Sequence, residues 1–319
     1  MTATSTDTYD QIGIREDLSD NIWDISPEEV PFSSNIGKGD ADNTFFEHQI
    51  DELAAVSSDT AVEGADATFA PATPTTRIGN YTEIIEKTAI TSGTLEATDR
   101  AGRAREMAYQ VVKRAKEIKR DLEFHLVGLN QERVAGSDTV ARKTASYQSW
   151  VATNTNKAGD GTDPTGDGTD ARVDGTQRPF TEDLLGDVID QIWLSGGNPD
   201  CIMANSFNKR AISQFSGNTT QGGVAGNVTH ENTDNRVINA VSVYESDYNV
   251  ISVVPNRFMR TRDVLVFEKE FWSVAVLRGM RNYEIAKTGD NFKRQVLQEC
   301  GLRSKNEASS GIVADLTDS

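Results

Sequence analysis

Apolar positions recur at helical intervals down residues 94–133. Ala104, Ala108, Val111, Ala115, Ile118, Leu122, Leu126 and Leu129 step by three or four. That spacing gathers them into one stripe, while the opposite face carries Lys113, Arg114, Lys116, Glu117, Lys119, Arg120 and Asp121. No proline interrupts the run, and Gly136 lies just past it. The pattern predicts a rod of about 35 residues, roughly 50 Å long. One small core cannot cover it. The stripe is not a strict heptad, and no second helix of that length exists to pair with it.

The flanking segments read differently. Residues 1–43 form an acidic arm with scattered apolar anchors: Ile12, Ile14, Ile22, Trp23, Ile25, Val30 and Phe32. Pro27 and Pro31 discourage a long helix there, so the arm should order only by lying on something else. Residues 44–92 read as an extended excursion. Thr44 to Ile50 is one strand candidate, and Gly79 to Ile90, rich in β-branched and aromatic residues, is another. A small-residue stretch, Ala54 to Arg77, joins them. A two-stranded ribbon holds too little core to stand alone and must lean on a neighbour, within the chain or outside it.

Residues 154–178 are a polar loop with an internal echo, Gly159-Asp160-Gly161-Thr162-Asp163 and Gly166-Asp167-Gly168-Thr169-Asp170. Alternating aspartate and glycine suggests calcium, but the full spacing and closing Glu of a calcium loop are missing. A turn-rich loop is the default reading. Residues 181–300 look like a compact α/β unit. Thr181 caps a helix with Leu184, Leu185, Val188, Ile189, Ile192 and Trp193 on its buried face, stopped by Gly196-Gly197-Asn198-Pro199. Asp200 to Ala204 is a strand, and Ser206 opens a helix to about Phe215. A Gly-rich loop, Gly217 to Thr229, precedes a hairpin of 240–244 with 250–254 about Asp247. Val264–Phe267 and Val274–Leu277 are further strands, and Phe292 to Leu316 supplies one or two more.

Composition narrows the classes. The chain has 319 residues, enough for two or three domains. Its net charge is −17 and is uneven. Residues 1–66 hold sixteen acids against Arg15 and Lys38, whereas 99–133 is net +3. So acidic a chain repels a phosphate backbone and is no dedicated nucleic-acid binder. The acidity serves solubility or, more sharply, a surface that lies near nucleic acid without sticking to it. No apolar run approaches the roughly 20 residues of a bilayer span. Met1 to Asp10 is polar, so no secretory signal is expected. Cys201 and Cys300 are too few for a disulfide framework, and His48, His125 and His230 share no zinc-ligand spacing. A reducing, cytosolic site of folding fits this usage.

The chemistry of a catalyst is missing as well. There is no Walker loop, no dinucleotide fingerprint, no nucleophile elbow and no zincin helix. Gly222, Gly223 and Gly226 precede no strong helix, so they cradle no phosphate. Cys201 and Cys300 sit in apolar strand contexts and read as core residues. No catalytic, cofactor-binding or metal-ligating residue is predicted, no cofactor is expected, and the chain is read as not an enzyme.

One resemblance ties these segments together. The run Ser92-Gly93-Thr94-Leu95-Glu96-Ala97 leads into Ala101-Gly102-Arg103, Glu106 to Gln110 and Lys116 to Glu123. In the same order follow Ala141 to Ala145, Trp150, Thr153-Asn154, Gly175-Thr176, Phe180-Thr181-Glu182, Gly196 to Asp200 and Ser206 to Lys209. Over roughly residues 40–300 this resembles the major capsid proteins of tailed bacteriophages, of podovirus type with the HK97-like fold.

The resemblance implies an α+β chain of five parts. These are an N-terminal arm (1–43), an extended β-hairpin loop or E-loop (44–92), and a peripheral domain with a long spine helix and polar loop (93–178). An α/β axial domain (179–290) and C-terminal strands returning to the peripheral domain (291–319) complete it. It implies a shell protein whose copies self-assemble into hexamers and pentamers of an icosahedral capsid around double-stranded DNA, without sequence-specific binding and without a membrane. Scaffolding, portal and decoration proteins would be partners. The chain would be made in the host cytoplasm and reside in the virion. An encapsulin-like or other non-viral shell of the same fold is the alternative. Some relatives crosslink through a lysine on the extended loop; residues 39–86 contain none, so no such isopeptide bond is expected.

Overall fold

The computed structural model describes residues 26–64, 66, 69, 72–98, 105–215 and 242–317. In chain order the elements are α1 (Pro31–Asn35), β1 (Gly37–Asp40), β2 (Phe45–Ile50), β3 (Thr76–Tyr81), β4 (Glu83–Ser92), α2 (Gly93–Ala97), α3 (Glu106–Val127) and β5 (Asn154–Asn156). Then come α4 (Glu182–Leu194), β6 (Cys201–Ala204), α5 (Ser206–Ile212), β7 (Val243–Glu245), β8 (Val250–Pro255), β9 (Val264–Phe267), β10 (Trp272–Ile285), β11 (Asn291–Ser304) and β12 (Gly311–Val313).

Two sheets carry the molecule. The six-stranded sheet runs β5-β12-β9-β6-β8-β7. Its central strands, Cys201-Ile202-Met203-Ala204 and Val264-Leu265-Val266-Phe267, are buried at every position, as unbroken apolar runs require when both faces are covered. One face sets Ile202, Val264, Val266 and Val313 under Leu185, Val188, Ile189 and Ile192 of α4. The other turns Cys201, Met203, Leu265, Phe267 and Ile312 toward Ile118, Leu122 and Leu126 of α3. The four-stranded sheet runs β1-β10-β11-β4, and α3 lies against β4 and β11.

Several expectations are corrected. The rod predicted over 94–133 is a 22-residue helix, about 33 Å long. It ends at Gly128, and Asn130 then takes a left-handed φ of 47°, so the apolar step to Leu129 is not helical. A side chain at 128 would stand 2.5 Å from the Phe258 carbonyl oxygen, which is why glycine sits there. Ala104, the first residue of the stripe, lies outside the described residues.

The second ribbon strand breaks at Thr82. Only β3 pairs with β2; β4 runs antiparallel along β11 over ten residue pairs, so residues 83–92 belong to the body. The last part of the arm does too. Phe32 is fully buried, its ring 5.3 Å from Phe267, 6.0 Å from Tyr147 and 6.5 Å from Trp272, and β1 pairs in parallel with β10. The other anchors, Ile12 to Ile25, lie outside the described residues, as does the loop 217–229.

The expected boundary at residue 290 does not follow the sheets. β10 joins the four-stranded sheet, whereas β12 returns to the six-stranded one, parallel to β5 and antiparallel to β9. Trp193 is exposed rather than buried and stacks on Tyr248 at 4.9 Å. Thr181 occupies the N-cap of α4 without a side-chain capping bond.

Candidate self-association surfaces

The β2–β3 hairpin is seated firmly at its base. Asn80, fully buried, donates to the Leu302 carbonyl (2.7 Å) and to Thr144 Oγ1 (3.0 Å) and accepts from the Ala145 N–H (3.0 Å). Phe46 packs with Ala41 and Ala275. Gly301 of β11 makes room for both strands: a Cβ there would stand 2.7 Å from the Tyr81 carbonyl oxygen and 2.9 Å from the Phe46 ring. Beyond this base, among the described residues, the segment carries apolar side chains exposed to solvent. Leu53, Val56, Val62 and Phe69 are 79–103% exposed. Fully burying each would stabilise by about 1.5–3 kcal/mol, or roughly 6–12 kcal/mol per hairpin before the entropy of ordering.

Three buried carboxylates tie distant segments of the chain together. Glu123 of α3 accepts from the Phe32 N–H (2.6 Å), the Ser33 N–H (2.9 Å) and Asn256 Nδ2 (2.7 Å). The first two are orphan donors in the first turn of α1, whose own N-cap, Val30, has no capping side chain. Burial pushes the Glu123 carboxyl above its usual range, and those hydrogen bonds pull it back only in part.

Glu83, at the start of β4, pairs with His125 Nδ1 of α3 at 2.8 Å. Burial alone would lower the imidazole, but the hydrogen bond and charge of Glu83, helped by Asp121, raise it above 6.5. Glu299 of β11 accepts from Arg278 Nε (2.6 Å), Thr82 Oγ1 (3.1 Å) and Arg142. All three carboxylates are engaged by structural partners from distant segments and clamp those segments together.

The other chemical candidates are absorbed in the same way. Asp160 accepts from the Thr176 N–H (2.8 Å), Asp167 from the Thr169 N–H (2.9 Å), and Asp170 from the Thr165 N–H (2.9 Å). Asp163 pairs with the buried Arg172 at 2.6 Å. Asp167 and Asp170 thus close their own turns while Asp160 and Asp163 reach across the loop to Thr176 and Arg172, and among the described residues no group of three or more His, Cys, Asp or Glu could hold a metal ion. Both cysteines are buried in the core, where burial pushes the thiols up to about 11 for Cys201 and about 12 for Cys300.

Acids are common in this chain, so the three clamping glutamates do not stand out in its sequence. A signal was present nonetheless. Glu123 abuts Leu122 on the apolar stripe, and Glu83 is in phase with the buried Ile85 and Ala89 of its strand. Further exposed apolar ground lies on α3 at Val112 and Phe124 and on β4 at Ile84 and Ile90. Ile84 also borders a surface cavity of about 400 Å³ beside Val140 and Arg142.

Comparison with known proteins places this arrangement. A family model described as SU10 major capsid protein matches residues 1–317. The major capsid protein of Escherichia phage Phieco32 is 30% identical over 338 aligned positions, covering 96% of this chain and 95% of that protein. Among solved structures, the capsid asymmetric unit of cyanophage A-1(L) superposes with a TM-score of 0.69 at 11% identity, covering 98% of each chain. The capsid of a native GTA particle superposes with a TM-score of 0.62 at 10% identity, covering 99% of this chain and 100% of the other. The fold is the HK97-like capsid fold.

Proposed function

The chain belongs to the SU10 major capsid protein family, a family of structural phage capsid proteins, and from that premise we propose that its copies close into hexamers and pentamers of an icosahedral shell around double-stranded DNA. The exposed row Leu53, Val56, Val62 and Phe69, held out from a rigid base, carries the reading. Alone, the chain leaves that surface in water; on a neighbour it would lie buried, at about 25 cal/mol per Å². Head-to-tail contact of this kind is heterologous and closes into rings.

The parts then take on roles. The β2–β3 hairpin with residues 51–75 is the extended loop, and α3 with the four-stranded sheet is the peripheral part. The six-stranded sheet with α4 and α5 is the axial part, and residues 1–43 include the arm. The net charge of −17 keeps the inner face from adhering to the genome. The chain catalyses nothing and needs no cofactor. Portal, scaffolding and decoration proteins are its further partners, and it is made in the host cytoplasm.

The test is electron microscopy and sedimentation of the purified chain under a series of assembly conditions. Closed particles with five- and six-fold capsomers are expected. A strictly monomeric species throughout would overturn the proposal.

A further inference from the structure

β10 is fourteen residues long, but on its outer side β1 covers only Ser273 to Val276. The last bond there runs from the Ala41 N–H to the Val276 carbonyl, 3.0 Å, before the chain leaves toward β2. Two register shifts against β11 follow at once, between Val276 and Arg278 and between Arg278 and Arg281. Bulges of this kind bend and twist a strand, so β1 cannot simply continue alongside. From Arg281 to Ile285 the ladder is regular again, opposite Leu297 to Lys293. Among the described residues no strand takes the outer side of that stretch. Its unpaired N–H and C=O groups are a template for another chain.

The side chains along this edge specify what fits. Arg281, Tyr283 and Ile285 alternate onto one face and are all exposed. Arg278 is committed to Glu299 and Arg294 to Glu284, whereas among the described residues no ion pair engages Arg281. The complement is an acid followed by two apolar residues at alternate positions. The chain itself holds that pattern in Asp51-Glu52-Leu53-Ala54-Ala55-Val56, exposed throughout and directly continuing β2. Aligned in parallel, Glu52, Ala54 and Val56 meet Arg281, Tyr283 and Ile285. Six extended residues reach about 20 Å from the end of β2, and in their own chain they lie on no surface.

We propose that the outer edge of β10 over residues 281–285 is a strand-addition site, filled by residues 51–56 of a second copy running parallel to it as β1 does. The proposal rests on the shell reading above and names the surface that takes the hairpin's first limb. Glu52→Cys and Arg281→Cys chains are made separately and co-assembled, with the parental chain checked for particles by electron microscopy. Cys201 and Cys300 are buried and do not compete. Oxidation is expected to give a covalent dimer from the mixture, absent from either variant alone.

As a second arm, Arg281→Glu is expected to lose assembly, and combining it with Asp51→Arg and Glu52→Arg to restore it. Particles that form without the mixed dimer, or an Arg281→Glu chain that assembles normally, would overturn this proposal and leave the shell reading standing. A parental chain that forms no particles would overturn both.

Discussion

Replacing Glu123 with alanine tests whether the spine helix holds the arm. The side chain is fully buried and serves three donors: the N–H groups of Phe32 and Ser33 and the amide of Asn256. Glu123→Ala leaves the Phe32 and Ser33 N–H groups without an acceptor and Asn256 Nδ2 with only the Met203 sulfur, 3.2 Å away. At about 1–3 kcal/mol for each buried donor left unmade, Phe32 and Asn256 account for about 2–6 kcal/mol, and the partly buried Ser33 N–H adds a smaller share. Against a stability of about 5–15 kcal/mol for an ordinary domain, that is large.

Glu123→Gln is milder. One oxygen can still accept from Phe32 and Asn256, but an NH₂ then faces the Ser33 N–H, so about 1–3 kcal/mol is lost. The expected order of stability is parent, Glu123→Gln, Glu123→Ala. Denaturant midpoints read the magnitude, and amide exchange reads the place. Residues 32–41 should lose protection first, because α1 and its buried Phe32 are released before the sheets. A Glu123→Ala chain within about 0.5 kcal/mol of the parent, with unchanged exchange at Phe32 and Ser33, would refute the reasoning.

Gly301→Ala pushes a methyl group into the Tyr81 carbonyl and the Phe46 ring; overpacking of this kind costs about 1–3 kcal/mol, and exchange should rise in β2 and β3 while α4 stays protected. The His125–Glu83 pair gives a pH dependence of definite sign. The folded imidazole lies above 6.5, so its stabilisation is complete below about pH 6.5 and is lost as pH rises through the folded value. Denaturation midpoints of the parent should fall across that window, and His125→Gln should remove that slope. A denaturing gel of mature particles should show single subunits and no ladder, since residues 39–86 contain no lysine; joined subunits would contradict this.

Much of the fold was legible because it is written at short range. Periodicity of three and four marked α3, unbroken apolar runs marked β6 and β9, and glycine with proline marked the stop of α4. The ends of these elements were less legible. α3 stops at Gly128 because the Phe258 carbonyl, 130 positions further on, leaves no room for a side chain, and nothing local announces that neighbour.

The amino-acid sequence by itself determined the class of surface this protein exposes: an acidic, lysine-free extended stretch with apolar side chains and no partner nearby in the chain. Only the tertiary structure decided which segments are exceptions. Phe32 and β4 looked like parts of the arm and ribbon, yet both belong to the body, because β10, β11 and α3 bring ladder partners and an acceptor for α1 from far along the chain. Periodicity encodes which face of an element avoids water, but the partner that covers it is chosen by long-range pairing, where hydrogen-bond register and steric fit act between residues that share no local pattern.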